Sequence, residues 1–243
     1  MKTKIIVPFI VGLIVVPQAV RADDIARLAR FAIDRNEVTI ARFEAFMQSN
    51  RATSAAEREG GGHEWGAGWE RRPGWTYLQP FGEATTDKAV PAVHVSWREA
   101  SDFCAWAGGR LPTRDEWSDA AYGEQRQETP PDLVRGEIYP YPTGAVGDGA
   151  NTSDEDSWPR LAPVATTRPG VNGLFDMGGN AWEWLADRDG DAALTAGGSW
   201  WYPREKMKAD SMLWKSVEFY AVYVGFRCVY DDLRGISPSQ FQL

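Results

Sequence analysis

The stretch at residues 171–184, Val-Asn-Gly-Leu-Phe-Asp-Met-Gly-Gly-Asn-Ala-Trp-Glu-Trp, constrains the fold more than any other part of this chain. Gly178 and Gly179 allow positive φ angles and a close approach of the main chain. Three side chains around this bend carry hard oxygen atoms of the kind that calcium prefers: Asp176, Asn180 and Glu183. We predict an irregular bend, neither helix nor strand, which Trp182 and Trp184 fix to a core; a glycine turn with an Asx hydrogen bond is the plainer alternative.

Aromatic and turn-forming residues are abundant along the whole chain. Its 243 residues include 12 tryptophans, 24 glycines and 15 prolines. Such a composition is typical of an irregular fold in which turns and buried aromatic rings take the place of long helices.

The N-terminus has the pattern of a secretory signal peptide. Met-Lys-Thr-Lys precedes an apolar run at residues 5–16, and Val-Arg-Ala at residues 20–22 precedes Asp23. The run is short for a membrane span. We predict a signal peptide at residues 1–22 and one exported domain at residues 23–243, periplasmic and not an integral membrane protein after cleavage; an uncleaved anchor is the alternative.

The formal net charge of the chain is −8. Residues 1–22 carry three basic and no acidic side chains, so their removal would make the exported domain more acidic. An acidic domain without a basic patch is a poor ligand for nucleic acids and for anionic membranes. Calcium or a basic protein partner fits this charge better.

Cys104 and Cys228 are the two cysteines of the chain. In an oxidising compartment an even pair within one domain most simply forms a disulfide, here closing a long loop. Two free or reactive thiols are the alternative.

Several segments carry local structure signals. Thr39 can cap a helix over residues 40–48, and two capping boxes, at residues 96–99 and 113–116, predict helices that run to about residue 107 and over the residues after 116. Residues 52–81 read as a long ordered loop fixed by Trp65, Trp69 and Trp75. Short strands are predicted within four further segments: 31–38, 163–166, 194–200 and 220–230.

The segment at residues 150–158 is dense in hard-oxygen side chains, at Asn151, Asp154, Glu155 and Asp156. Such a run of acids repels itself unless a cation or solvent screens it. We interpret it as a candidate calcium site with a solvated loop as the alternative. The spacing is not that of an EF-hand.

Taken together, these stretches resemble the formylglycine-generating enzyme (sulfatase-modifying factor) family. The resemblance is carried by Gly-Leu-Phe-Asp-Met-Gly-Gly-Asn-Ala-Trp-Glu-Trp, by Arg-Leu-Pro-Thr-Arg-Asp-Glu-Trp, and by matching segments in the same order at residues 34–46, 91–106, 197–200 and 225–228. It implies a single α+β domain with little regular secondary structure, related to C-type lectins. Fold alone does not fix the activity.

The resemblance also implies ligands for one or two structural calcium ions. The first site would take the side chains of Asn151 and Asp156 with the carbonyls of Thr152 and Trp158. The second would take the side chains of Asp176 and Glu183 with the carbonyls of Gly179 and Ala181. Cys104 and Cys228 match paired-cysteine positions of the family, which supports the disulfide.

The copper chemistry of the family is not expected in this chain. Family members that make formylglycine carry two copper-binding cysteines after a stretch similar to Gly-Gly-Ser-Trp, and Tyr202 and about Met207 stand at the matching positions. Neither side chain supplies a thiolate, the ligand that copper(I) prefers. Trp182, Ser199 and Tyr202 would then line a vestigial groove. His63 and His94 are too few for an iron site.

Two classes of function remain. The first is a non-catalytic calcium-binding scaffold or regulatory module, similar to exported family members that act upstream of a threonine kinase in type VI secretion, with a periplasmic protein partner such as a kinase sensor domain. The second is an exported enzyme, similar to a family member associated with oxidation of a siderophore chromophore precursor. Acids, amines and phenols between Tyr202 and Tyr223 could serve general acid–base chemistry.

Overall fold

Capping side chains set where the helices begin. The computed structural model describes residues 24–154 and 158–231, and within them four α-helices occur: α1 (Ile40–Asn50), α2 (Ala55–Arg58), α3 (Trp97–Trp106) and α4 (Arg114–Tyr122). Thr39 caps α1, and α2, α3 and α4 each begin with a complete capping box. The predicted α1, α3 and α4 are confirmed.

The strands are short and form three small sheets. The described residues contain β1 (Ile25–Arg27), β2 (Ala32–Asp34), β3 (Gly61–Trp65), β4 (Trp69–Pro73), β5 (Trp182–Asp189), β6 (Ala192–Ala196), β7 (Leu213–Ser216), β8 (Val224–Gly225) and β9 (Val229–Tyr230). Their orders are β1-β2-β9, β3-β4 and β7-β6-β5-β8. All pairings are antiparallel except that of β5 with β8. The mixed helix and sheet of a single domain agrees with the predicted fold class.

Three sequence predictions need correction. Residues 52–81 are not one loop, because α2 and the β3–β4 hairpin lie within them. Residues 163–166 form no strand, whereas β2, β6, β8 and β9 fall in or beside the other predicted segments. The stretch at residues 171–184 starts with a 3-10 turn at Val171–Gly173 and ends inside β5, so only its middle is irregular.

Large aromatic side chains fill the core, as the composition predicts. Trp117, Trp182 and Trp184 are fully buried. The Trp184 Nε1 atom donates to the Val95 carbonyl at 2.9 Å, so this ring ties β5 to the segment before α3. β5 is therefore anchored to the core where it leaves the bend.

The predicted signal peptide at residues 1–22 lies outside the described residues, as do Glu155 and Asp156 of the candidate calcium site. No helix in the described part of the chain is long and apolar enough to cross a membrane. The implied relation to C-type lectins stays a prediction.

Candidate functional site

The bend at residues 174–181 is held open by left-handed backbone conformations. Asp176, Gly179 and Asn180 have φ angles of 54°, 83° and 51°. A Cβ atom on Gly179 would lie 2.4 Å from the Asn151 carbonyl oxygen, so only glycine fits there. The Asn180 N–H donates to that same carbonyl at 2.8 Å. The sequence predicts a close approach of the main chain at this bend. It occurs at Gly179, which lies against the Asn151 backbone, whereas Gly178 has no positive φ.

Asn180 joins the bend to three other segments of the chain. Its Nδ2 donates to Glu37 Oε2 at 2.6 Å, and its Oδ1 accepts from Asn151 Nδ2 at 3.0 Å and from the Ala162 N–H at 2.9 Å. Glu37 Oε1 accepts from the Ala181 N–H at 2.9 Å. Every polar atom of this buried amide is satisfied, which fixes its orientation.

Glu183 forms a buried ion pair with Arg227. The Arg227 Nη2 lies 2.6 Å from Glu183 Oε1, and both side chains are 0% exposed. The Trp117 Nε1 donates to Glu183 Oε2 at 2.7 Å. A carboxylate that the sequence assigns to calcium therefore already has a cation and a neutral donor as partners.

Three carboxylates share this region with one guanidinium. Burial, and then the negative charges of Asp176 and Glu183, raise the pKa of Glu37 well above its usual value. Burial also raises the pKa of Asp176 to about 6. Asp176 Oδ1 accepts from Thr167 Oγ1 at 2.6 Å, while its Oδ2 is buried without a hydrogen-bond partner. We call Glu37, Asp176, Asn180, Glu183 and Arg227 the polar centre.

The first predicted calcium site is only partly described. Asn151 and Thr152 are buried and Trp158 is half-buried. Asn151 Oδ1 has no hydrogen-bond partner although it is buried. In the described ranges, which omit Asp156, no three His, Cys, Asp or Glu side chains are grouped to hold a metal ion.

The two orphaned oxygens are the observation that bears on calcium. A buried oxygen without a donor is costly, and a cation can satisfy it. Asn151 Oδ1 and Asp176 Oδ2 fit calcium in this respect, one in each implied site. Glu183 fits less well because Arg227 neutralises its charge.

Both cysteines lie in one disulfide, as predicted. Cys104 in α3 bonds to Cys228, which precedes β9, and their Cα atoms are 5.5 Å apart. Tyr202 is half-buried, and Met207 is buried against Gly178, where a Cβ atom would lie 2.7 Å from the Met207 sulfur. Met207 therefore packs as a core residue.

An aromatic groove begins at Trp182, the residue before Glu183. We give that name to a closed circuit of contacting side chains: Trp69, Trp182, Tyr202, Lys215, Phe219 and Tyr223. Successive members, measured between ring centroids or from the Lys215 Nζ atom to a centroid, are 4.6–6.0 Å apart. Trp182 and Tyr223 are buried, whereas Trp69 on the hairpin is 46% exposed. Ser199 is buried nearby, and its Oγ accepts from the Trp201 N–H at 3.4 Å.

Lys215 is the cation of this groove. Its Nζ atom lies 5.1 Å from the centroid of Trp182 and 5.9 Å from that of Phe219. Burial lowers the pKa of its ammonium group to about 8. Within the described part of the chain no carboxylate pairs with it.

Sequence reasoning placed Trp182, Ser199 and Tyr202 in the groove region but missed much of its wall. Trp69, Lys215 and Phe219 carry no local signal. Trp69 and Lys215 reach the groove through sheet pairing, and Phe219 follows the strand that carries Lys215. Arg227 lies in the segment at residues 225–228, Gly-Phe-Arg-Cys, where a charged residue between apolar neighbours could have indicated a buried ion pair.

A family model and several known proteins resemble the chain. The model described as "Sulfatase-modifying factor enzyme 1-like domain" matches residues 12–232. The formylglycine-generating enzyme of Thermomonospora curvata is 29% identical over 85% of this chain and 84% of that protein. The inactive C-alpha-formylglycine-generating enzyme 2 of Mus musculus is 33% identical over 54% of this chain and 46% of that protein. The structure of PvdO from Pseudomonas aeruginosa has a TM-score of 0.60 at 17% identity, over 83% of this chain and 80% of that one.

Proposed function

Because the chain belongs to the sulfatase-modifying factor enzyme 1-like family, we propose that it is a non-catalytic member of that family, an exported calcium-binding module that regulates a protein partner. One observation carries the proposal: both cysteines of the chain are joined in the Cys104–Cys228 disulfide. No thiol is left to act as a nucleophile or as a copper ligand.

Calcium would act as a structural clamp on the bend. Asn151, Asp156 and the carbonyls of Thr152 and Trp158 would hold one ion. Asp176 with the carbonyls of Gly179 and Ala181 would hold a second, which Glu183 would support less because of its ion pair with Arg227. Binding to the folded state alone would add stability.

The partner would be a protein in the periplasm. The resemblance to TagR, a component upstream of a threonine kinase in type VI secretion, makes the sensor domain of a kinase the first candidate. Trp65, Trp201 and Trp214 are 46%, 44% and 53% exposed. Exposed tryptophans support a binding role because this residue is enriched at interface hot spots.

Mass spectrometry of a cysteine-containing peptide tests the absence of formylglycine generation. The protein, loaded with copper(I) in air, should leave the peptide cysteine unchanged. The formylglycine-generating enzyme of Thermomonospora curvata, treated in parallel, is the positive control. Conversion of the peptide above the rate without protein would contradict the proposal.

Calorimetric titration of the chelator-stripped protein tests the calcium sites. Saturable binding with a rise in melting temperature is expected, and Asp156→Asn should lose one site. Asp154→Asn is the matched control, because the Asp154 carboxylate accepts from the Arg204 N–H at 2.8 Å and is not an implied ligand. Glu183→Ala is a poor test, since it would leave Arg227 buried without its partner. Absence of binding would refute the clamp but not the lack of catalysis.

A PvdO-like oxidation of a siderophore precursor is the second candidate. The aromatic walls around Tyr202 favour it, since they suit a substrate with a flat ring. Turnover of such a precursor by the purified protein, lost in Tyr202→Phe, would replace the first proposal.

A further inference from the structure

The aromatic groove contains a cation without a counter-ion. Lys215 is half-buried over Trp182 and Phe219, and among residues 24–154 and 158–231 no carboxylate lies within ion-pair distance of its Nζ atom. The chain as a whole is acidic, with a net charge of −8. An unpaired ammonium group in an acidic protein therefore needs a local explanation.

A second donor in the groove is also unsatisfied. The Trp182 ring lies under the Lys215 ammonium group, and its Nε1 atom is buried without a hydrogen-bond acceptor. The buried indoles of Trp117 and Trp184 do find acceptors, whereas that of Trp200, like that of Trp182, does not. A buried N–H without a partner is unfavourable, so an acceptor supplied by a ligand would be stabilising here.

The rest of the groove is made of rings. Trp69, Tyr202 and Phe219 are each partly exposed, so the groove can be reached from solvent, and Tyr223 and Trp182 form its buried side. Neighbouring rings meet edge to face or tilted, the arrangements in which aromatic pairs attract each other. A flat ring can make the same contacts.

We infer that the aromatic groove binds a carboxylate carried on an aromatic ring. The Lys215 ammonium group pairs with the carboxylate, the Trp182 N–H offers a hydrogen bond to an acceptor of the ligand, and Trp69, Tyr202 and Phe219 pack around its ring. The site needs neither calcium nor turnover and does not depend on the function proposed above.

The partial burial of Lys215 destabilises the folded state, and a bound ligand would offset that loss of stability. A half-buried ammonium group loses hydration, which is why its pKa falls, and no ion pair in the described structure compensates the loss. Stability given up at one position is typical of binding sites. The carboxylate of the ligand would supply the missing charge.

Titration of the full-length mature protein with 3-phenylpropionate, followed by tryptophan fluorescence and calorimetry, tests the inference. Three probes isolate the two parts of the ligand: 3-phenylpropionamide lacks the charge, 3-cyclohexylpropionate lacks the aromatic ring and propionate lacks any ring. Saturable binding of 3-phenylpropionate is expected, with affinity roughly tenfold or more above that of each of the three probes.

Lys215→Met is the informative variant, and Lys208→Met is its matched control. Lys208 also places its Nζ atom over a ring, 5.0 Å from the centroid of Tyr141, but outside the groove. Lys215→Met should weaken 3-phenylpropionate roughly tenfold or more and leave the amide unchanged, whereas Lys208→Met should bind like the wild type. Circular dichroism and melting temperature check that both variants are folded.

The same chemistry occurs in free aryl acids and at the C-terminus of a peptide that ends in phenylalanine. N-acetyl-Gly-Gly-Phe distinguishes these sources: tighter binding than 3-phenylpropionate indicates a peptide terminus, and weaker binding indicates a small acid. Equal affinity for 3-phenylpropionate and its amide would overturn the inference, as would undiminished binding by folded Lys215→Met.

Discussion

At the scale of single residues, Lys215 gives a stability prediction that is independent of any ligand. Its folded pKa of about 8 lies below the ordinary value of 10.5, so the folded state disfavours the charged form. This penalty is fully present below pH 8 and fades as pH rises towards 10.5. Lys215→Met should therefore melt several degrees higher than the wild type at pH 7, and the difference should shrink at pH 9.5.

Thermal unfolding followed by circular dichroism at the two pH values is the measurement. Burial raises the pKa of Tyr202 and Tyr223 in the same groove, so neither phenol gains charge in this window. A lower melting temperature for the variant, or a gain that does not change with pH, would mean that Lys215 has a partner that stabilises it.

Glu116 gives a prediction of the opposite sign. Hydrogen bonds from Arg110, at 2.6 Å and 2.7 Å, lower its pKa to about 2, and its carboxylate also accepts from the Thr113 N–H at 2.9 Å. A depressed acid contributes stability above its unfolded pKa of 4.5, and that stability is lost as pH falls towards 2. Glu116→Gln should lower the free energy of unfolding at pH 7 by on the order of 1–2 kcal/mol, because Arg110 is partly exposed and solvent screens the pair.

Urea unfolding at pH 7 and at pH 3 measures this effect. The wild type should approach the variant at the lower pH. Asp115→Asn is the control, since it removes an acid from the same first turn of α4 and spares the Arg110 pair. A loss that is the same at both pH values would show that the side chain acts through the cap alone.

At the scale of elements, capping boxes predicted more than any other signal. α3 and α4 begin at the serine and threonine where the sequence placed them, because side-chain caps are local interactions. The same rule would have found α2, whose Ser54 and Glu57 form a capping box, but the glycines that follow led us to predict a loop. The β3–β4 hairpin could not be predicted, since its strands have no apolar and polar alternation.

The site was less predictable than the helices because its partners are far apart in sequence. The bend at residues 174–181 and the disulfide were both visible in the sequence. Glu37 reaches Asn180 across 143 residues, and Lys215 reaches Trp182 only because β7, β6 and β5 are neighbours in one sheet. Such contacts depend on tertiary packing, which no local pattern encodes.

The β3–β4 hairpin yields a prediction about how it docks. A Cβ atom on Gly62 would lie 2.0 Å from the Nδ1 atom of His94, which is fully buried. Gly62→Ala should therefore force the hairpin away from the segment before α3 and reduce the free energy of unfolding by about 1–3 kcal/mol. It should also weaken 3-phenylpropionate, because Trp69 on the same hairpin forms a wall of the groove.

Gly68→Ala is the matched control for this change. An added Cβ atom there would meet nothing within 4 Å, so the stability should change by no more than about 0.5 kcal/mol. Chemical denaturation of both variants measures the difference. Equal effects of the two substitutions would show that the contact between Gly62 and His94 does not hold the hairpin.

At the scale of the whole molecule, the chain is closed on itself by its C-terminal segment. The Asp34 N–H in β2 donates to the Cys228 carbonyl, and the Cys228 N–H donates to the Asp34 carboxylate. Arg227 donates to the carbonyls of Asp34 and Arg35 while pairing with Glu183. The Cys104–Cys228 disulfide joins this closure to α3. The first strands, the third helix and the last strand are thereby fixed around the polar centre.

The double variant Cys104→Ala/Cys228→Ala tests this arrangement. The bridged residues are 124 apart in sequence, and closing a loop of that length restricts the unfolded chain by up to about 5 kcal/mol. Since whole domains are stabilised by only about 5–15 kcal/mol, the loss should be large in urea unfolding, and dithiothreitol should reproduce it in the wild type.

Bound calcium should recover part of the stability by mass action. Below the unfolding transition the variant should still bind 3-phenylpropionate, because neither cysteine lines the aromatic groove. If the double variant were as stable as the wild type, the bridge would not be structural, and a reactive role for the two thiols would have to be reconsidered.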